Sequence, residues 1–297
     1  MNLRRLLRQP VLTVAFHERE VRWTIGGSGS IASSGRVPLP PGFVNDGLVV
    51  DAAAAGMVLR EAPGFRGGGR MQVVLGLPAQ RSVFRQLELP ALPGKQFAEL
   101  VEREIRREMP MLVENAHVSW KRTGERDGKA LVFVVGVARD VLDSHLAAAW
   151  SAGLHPQSAD LRVIAAARAV GAPDSMIACV EDAEVELGIF RDGVPWIIRS
   201  IAMTSPCGEP AWIEQLTAEL GRTLKYFRDS HRDDTTIDAV PISFVGGSAK
   251  FAVMASQIGA AIGHDIAMPP LRLSVTPEQE TVAFASNIGL ALKDLAA

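Results

Sequence analysis

Cysteine is scarce: only Cys179 and Cys207 occur in 297 residues. That excludes a disulfide framework and a thiolate metal cage, and it fits a reducing compartment. Aromatic residues make up 6% of the chain, with a single tyrosine, too few for a base-stacking surface. Neither sign of charge dominates. The 31 basic and 33 acidic side chains leave a net charge of −2, which excludes binding to nucleic acid through bulk charge. No apolar run approaches the roughly 18–20 residues that span a bilayer; the best stretches, Phe251–Gly263 and Thr281–Leu292, are short and moderately polar. The opening MNLRRLLRQPVLTVAF imitates an export signal. Its apolar part ends at Phe16 and no small-residue cleavage site follows, so it reads as a first strand.

What is present is a globular composition. Hydrophobic residues are 47% and charged residues 22%, enough apolar surface for full cores in about two domains. Period and punctuation predict strands at Val11–Phe16, Val21–Ile25 and Ile31–Leu39, a helix over Asp51–Glu61 and a strand at Met71–Leu77. A block of different order follows. It has strands at Val83–Leu89, His117–Lys121 and Leu131–Ala138 and a charged helix over Pro93–Met109, stopped by Pro110. Within that helix Glu99 with Arg103 and Glu102 with Arg106 stand at i,i+4 spacing. A helix over Asp140–Ala152, capped by Asp140, a short extended piece Leu154–Ala159 and a helix Leu161–Ala169 complete the block. The opening order then returns. Strands fall at Met176–Val180, Val185–Phe190 and Val194–Ile201, followed by a long helix Trp212–Ser230 and a strand Ile242–Val245. A helix Lys250–Gly263, a strand Asp265–Met268 and a closing helix Pro277–Leu295 end the chain. The order β, β, β, α, β, α thus occurs twice, with an α+β block between the halves.

Few residues carry an enzyme's signature. Gly27-x-Gly29-x-x-Ala32 echoes a dinucleotide fingerprint, but Ser33–Pro38 after it is not helical, so a plain turn is the better reading. The stretch Phe244–Lys250 is stronger. A buried strand runs into Gly246-Gly247-Ser248 and then a helix, a turn that lets backbone approach a flat or anionic ligand. The six histidines, His17, His117, His145, His155, His231 and His264, have no zinc-binding spacing. His231 with its charged neighbours reads as a solvated helix end. Glu102, Glu104 and Glu108 read as a solvated or partner-facing face among arginines, and Cys179 as an inert core thiol.

The doubled order with an inserted block resembles the actin-like ATPase superfamily. PPGFVNDGLVVD (Pro40–Asp51), VVLGLPAQRSVFRQLELPAL (Val73–Leu92), Val135–Leu161, GIFRDGVPWIIRSI (Gly188–Ile201), RTLKYFRDSH (Arg222–His231), FVGGSAK (Phe244–Lys250) and NIGLALKD (Asn287–Asp294) together resemble the type IV pilus assembly protein PilM family. The resemblance implies an α/β, actin-like (RNase H-like) fold of two β-β-β-α-β-α lobes. Residues 1–79 with 160–174 would form the first lobe, 80–159 an inserted α+β subdomain, and 175–297 the second lobe. It also shows departures. Where the family's first phosphate motif carries Asp and Gly, this chain has Ala15 and His17. Its second motif falls on Glu181–Glu186, with Ala183 in place of glycine and Glu184 and Glu186 set to oppose a triphosphate.

The resemblance therefore implies a scaffold with a vestigial nucleotide site at Gly246, Gly247, Ser248 and Glu181, the last being the only catalytic candidate. No cofactor is expected, ATP–Mg²⁺ being bound weakly if at all, and no metal. The implied partner is the cytoplasmic N-terminal tail of a single-pass PilN-like protein, held in a groove between the first lobe and the insertion near Pro78, Phe84, Arg85, Glu104 and Pro110. Such a chain is cytoplasmic and recruited to the inner membrane through that partner, with an oligomer as an option. Two alternatives stay open: an active ATPase in which Glu181 orients water, and the cytoplasmic component of a type II secretion platform. A division-type polymer would call for an amphipathic C-terminal helix, which Lys293–Ala297 does not supply.

Overall fold

The computed structural model describes residues 9–27, 29–65, 71–231, 236–247 and 251–293. The chain opens with a meander of β1 (Val11–Phe16), β2 (Glu20–Gly27) and β3 (Ser30–Pro38). A two-residue hairpin, β4 (Val44–Asn45) and β5 (Leu48–Val49), leads into α1 (Ala52–Arg60), and β6 (Gln72–Leu77) returns to the sheet. Asp51 caps α1, its carboxylate accepting from the Ala54 N–H at 2.9 Å.

After β6 the chain leaves the sheet. It forms β7 (Ser82–Pro90), α2 (Gly94–Glu108), α3 (Pro110–Asn115), β8 (Ala116–Arg126) and β9 (Lys129–Ala138). The three strands make an antiparallel sheet of order β7-β9-β8, and Ala130, Val132 and Val134 bury α2 through Phe97, Val101 and Ile105. Pro110 does end the charged helix, but it also starts α3, where a missing N–H costs nothing. The apolar run after it is therefore helical. Of the two expected i,i+4 pairs, Glu102–Arg106 forms at 3.8 Å, whereas Glu99 pairs with Lys95.

Next come α4 (Arg139–Ser151), β10 (Ser158–Leu161) and α5 (Arg162–Val170). The residue before α4 is Ala138, without a side-chain cap, and Asp140 instead pairs with Arg81 at 2.6 Å. Extended structure begins at Ser158 and not Leu154, because pairing with β6 starts at Ser158 opposite Val74. The expected insertion spans 80–159. Ala148 and Ala149 of α4 share a core with Trp23 and Leu59 of the first lobe, so the separate sheet spans only Ser82–Ala138.

The second half repeats the first. It contains β11 (Ser175–Val180), β12 (Glu184–Arg191), β13 (Val194–Ala202), α6 (Pro210–Ser230), β14 (Ile242–Val245), α7 (Phe251–Ile262) and β15 (Ile266–Ala267). The first sheet runs β10-β6-β1-β2-β3 and the second β15-β14-β11-β12-β13. Each has an antiparallel meander on one side of its first strand and parallel strands on the other. Trp212, Phe227 and Phe244 anchor the second core.

The chain's end corrects the expectation of one long helix over Pro277–Leu295. A 3-10 segment, Glu278–Phe284, precedes a short α8 (Ala285–Ala291). α8 crosses back to the first lobe and lies along α5 and strands β1, β2 and β6. A Cβ on Gly289 would lie 1.7 Å from the Ala165 carbonyl oxygen, so the two helices touch backbone to backbone.

Candidate functional site

The two first hairpins of the lobes face each other across a cleft. In the first lobe the β1–β2 turn is closed by the His17 N–H donating to Glu20 O at 2.8 Å. In the second the β11–β12 turn is closed by the Glu181 N–H donating to Glu184 O at 2.9 Å. These are the turns on which the phosphate motifs fall by counting. The space between them is about 90 Å³, lined by His17, Arg19, Arg22, Glu181, Ala183 and Gly247 among others.

Arg22 fills the middle of that cleft. Its Nη1 donates to Glu181 Oε1 at 2.7 Å and to the Ala283 carbonyl at 2.9 Å, its Nη2 to Glu181 Oε2 at 2.5 Å, and its Nε to Glu20 Oε1 at 2.5 Å. Glu181, the single catalytic candidate, thus has both oxygens on one guanidinium. The two glycines fit around this pair. Gly246 has φ +122°, and a Cβ there would lie 2.4 Å from Val180 O; a Cβ on Gly247 would lie 2.1 Å from Arg22 Nη2. Ser248 lies outside the described residues.

A second arginine lies deeper. Arg162, at the start of α5, donates from Nη1 to His17 Nδ1 at 2.9 Å and from Nη2 to Glu186 Oε1 at 2.7 Å, and it also pairs with Glu184. The sequence sets the charges of Glu184 and Glu186 against a triphosphate. They are instead 4% and 1% exposed and held by Arg162. Burial raises the Glu184 carboxyl to about 7, with Arg162 opposing the rise and Glu186 adding to it. Burial pushes His17 well below the usual imidazole value, and Arg22 and Arg162 push it further. His145, fully buried and edge-on to Phe16, falls to about 4 for the same first reason.

Sequence reasoning missed both arginines. In Val21-Arg22-Trp23-Thr24 the alternation points Arg22 away from a one-sided core. Both faces are covered here, because α8 lies over the second one and Asn287 Nδ2 donates to Thr13 Oγ1 at 3.1 Å and Arg22 O at 3.2 Å. No local signal announces a cover supplied from the chain's far end.

The five expected partner residues do not form one patch. Phe84 packs its ring against Phe133, 6.0 Å between centroids, on the sheet face opposite α2. With Arg85 it lines a groove of about 750 Å³ whose other wall is Val194, Trp196 and His231 of the second lobe. Gln86 Nε2 crosses to the Pro195 carbonyl at 2.7 Å. Pro78 is buried ahead of the insertion. Glu104 is 8% exposed, paired with Arg107 at 2.7 Å on α2, so it is not a solvated charge. Pro110 is exposed at the α2–α3 joint. His231 is no loose charged end either, since it sits 4.6 Å from Phe227 and 4.5 Å from Trp196, ring to ring.

Among the described residues no group of three His, Cys, Asp or Glu is placed to hold a metal ion, and no helix is long and apolar enough to cross a membrane. Cys179 is buried, and burial pushes its thiol well up.

No protein-family model and no curated protein matches the sequence. Solved structures do. A PilM–PilN type IV pilus biogenesis complex superposes with a TM-score of 0.72 at 20% identity, over 95% of this chain and 98% of that one. The ethanolamine utilization protein EutJ from Carboxydothermus hydrogenoformans gives 0.58 at 14%, over 97% and 91%. A Bacteroides thetaiotaomicron protein with an actin-like ATPase fold and unknown function gives 0.50 at 12%, over 95% of each chain. Identities this low speak for architecture and not for activity. Two matching lobes, a three-stranded insertion after β6 and a last helix laid back on the first sheet make this the actin-like ATPase fold, which the PilM–PilN structure matches over 95% of this chain.

Proposed function

We propose that the protein is a cytoplasmic, actin-like scaffold of a type IV pilus assembly platform. It binds the cytoplasmic N-terminal tail of a single-pass PilN-like inner-membrane protein, is recruited to the membrane by that tail, and does not hydrolyse ATP efficiently. The fold likeness to a PilM–PilN complex supports the choice of system.

The observation that carries the scaffold reading is the Arg22–Glu181 pair. A phosphate cradle needs backbone N–H groups open to the ligand, and a hydrolase needs a carboxylate or amide free to orient water. Here both carboxylate oxygens are engaged by Arg22, and the side chains of Arg22 and Glu181 pack on Gly247. A cleft of about 90 Å³ is also well below the roughly 300–1,000 Å³ of sites that take drug-sized ligands. These residues do not fit ATP–Mg²⁺, and no catalytic step is assigned to them.

For the tail, the reading takes the groove of about 750 Å³ holding Phe84 and Arg85. An extended peptide would place side chains against Phe84 and Trp196 and its backbone against the strand edge. The test is titration of the full chain with a synthetic peptide of the cytoplasmic N-terminal tail of a PilN-like protein. Phe84→Ala should weaken binding by about 1–3 kcal/mol if it anchors the tail, whereas Pro110→Ala, on the far side of the sheet, should leave it unchanged. Binding by the parent that neither Phe84→Ala nor Arg85→Ala reduces would place the tail elsewhere. No binding at all would sink the pilus reading.

A further inference from the structure

Glu186 touches two parts of the molecule at once. Its Oε1 accepts from Arg162 Nη2 at 2.7 Å and from the Ala79 backbone N–H at 2.8 Å. Ala79 is the second residue after β6, where the chain departs into the insertion. Arg162 in turn reaches the β1–β2 turn through the Phe16 carbonyl at 3.3 Å and His17. One carboxylate of the second lobe therefore joins the cleft to the entry of the insertion. Beyond it, the insertion meets the second lobe through the Gln86 to Pro195 hydrogen bond, and between these two fixings lies one wall of the groove with Phe84.

The surroundings make this link strong. Arg162, Glu184 and Glu186 are 2%, 4% and 1% exposed, so their hydrogen bonds are charge-assisted and shielded from water. Glu186 Oε2 is buried without a partner, leaving Oε1 as the one oxygen that holds both neighbours.

We infer that Glu186 couples closure of the cleft to the seat of the insertion, and so sets the width of the groove between insertion and second lobe by an ion pair internal to the chain. Glu186 is a positioning residue in this scheme. The inference deepens the tail-binding reading and rests on it only for its consequence, since the coupling itself is a property of the free chain.

Glu184 supplies the control. It also pairs with Arg162, whereas the Ala79 N–H goes to Glu186. Backbone hydrogen exchange on the full chain reads the link without any partner. In Glu186→Leu, exchange across Ala79–Gln86 should quicken about tenfold, as for a local opening that has lost a charge-assisted bond. In Glu184→Gln, which keeps an acceptor for Arg162 and leaves the Ala79 hydrogen bond in place, it should stay within about twofold of the parent. Should Glu186→Leu fail to unfold cooperatively, Glu186→Gln keeps the shape and weakens the acceptor, and the same ordering is expected at about threefold. Equal effects of the Glu184 and Glu186 changes, or no effect of either, overturn the coupling. Where the parent binds the tail peptide, its affinity should fall in the Glu186 variant alone. Where the parent binds none, the function reading fails, and the exchange data still decide the coupling.

Discussion

Arg22 and Glu181 stand 159 residues apart in the chain and meet across the cleft in a two-point pair, Nη1 to Oε1 at 2.7 Å and Nη2 to Oε2 at 2.5 Å. A planar guanidinium matched to both oxygens of a carboxylate is the strong geometry for such a contact. It occupies the space between the two turns that would have to receive phosphates.

Isothermal titration of the full chain with ATP and Mg²⁺ should therefore show no binding in the low micromolar range. On the scaffold reading, the Glu181→Gln variant should show no loss of turnover. Low-micromolar binding with turnover that disappears in Glu181→Gln would return the protein to the active ATPases.

Breaking the second clamp should be costly for the whole fold. Arg162→Met leaves Glu184 and Glu186 buried without their counter-charge, and removing one partner of a buried pair costs about 3–5 kcal/mol. Combining it with Glu184→Gln and Glu186→Gln removes the stranded charges and should recover most of the loss in urea unfolding. A triple variant as unstable as Arg162→Met would show that packing of the arginine stem, and not charge, is what matters.

Gly289→Ala tests the contact of α5 with α8. In a helix alanine is intrinsically better than glycine by about 1 kcal/mol. Here the new methyl would lie 1.7 Å from a backbone oxygen, so the helices must part and the net change should be a destabilisation of about 1–3 kcal/mol. A raised thermal midpoint would mean the helices separate freely.

Acid should destabilise the protein through His145. Burial holds it neutral in the fold at about 4, below its ordinary 6.5, so the unfolded chain takes up the proton first. Stability is lost as pH falls from about 6.5 towards 4. Glu184 works in the opposite sense. Raised to about 7 by burial, it contributes fully below about 4.5 and loses its contribution as pH rises through 7. Denaturant melts at stepped pH should show a shallower acid limb in His145→Leu than in the parent. An unchanged acid limb would assign it to other groups.

Sequence alone determined much of the local structure. Alternation marked the strands of both lobes; the pairs Asp127-Gly128 and Asp192-Gly193, which turn their hairpins with positive φ, are local signals of the same kind. Asp51 marked a helix start, and the repeated β, β, β, α, β order marked the duplication that the two sheets display. These features rest on neighbours within a few residues, which is what a sequence displays. Where the alternation failed, the cause was distant. Arg22 is buried because α8, some 265 residues later, covers the other face of its strand and bonds Arg22 O through Asn287. Glu184 and Glu186 turned from opposing charges into a held pair because Arg162 enters from a helix between the lobes. Phe84 and Pro110, close in the expected groove, lie on opposite sides of the insertion sheet because α2 covers one face of it. Burial and charge pairing depend on which surfaces meet, and those meetings are made by chain folding over long separations.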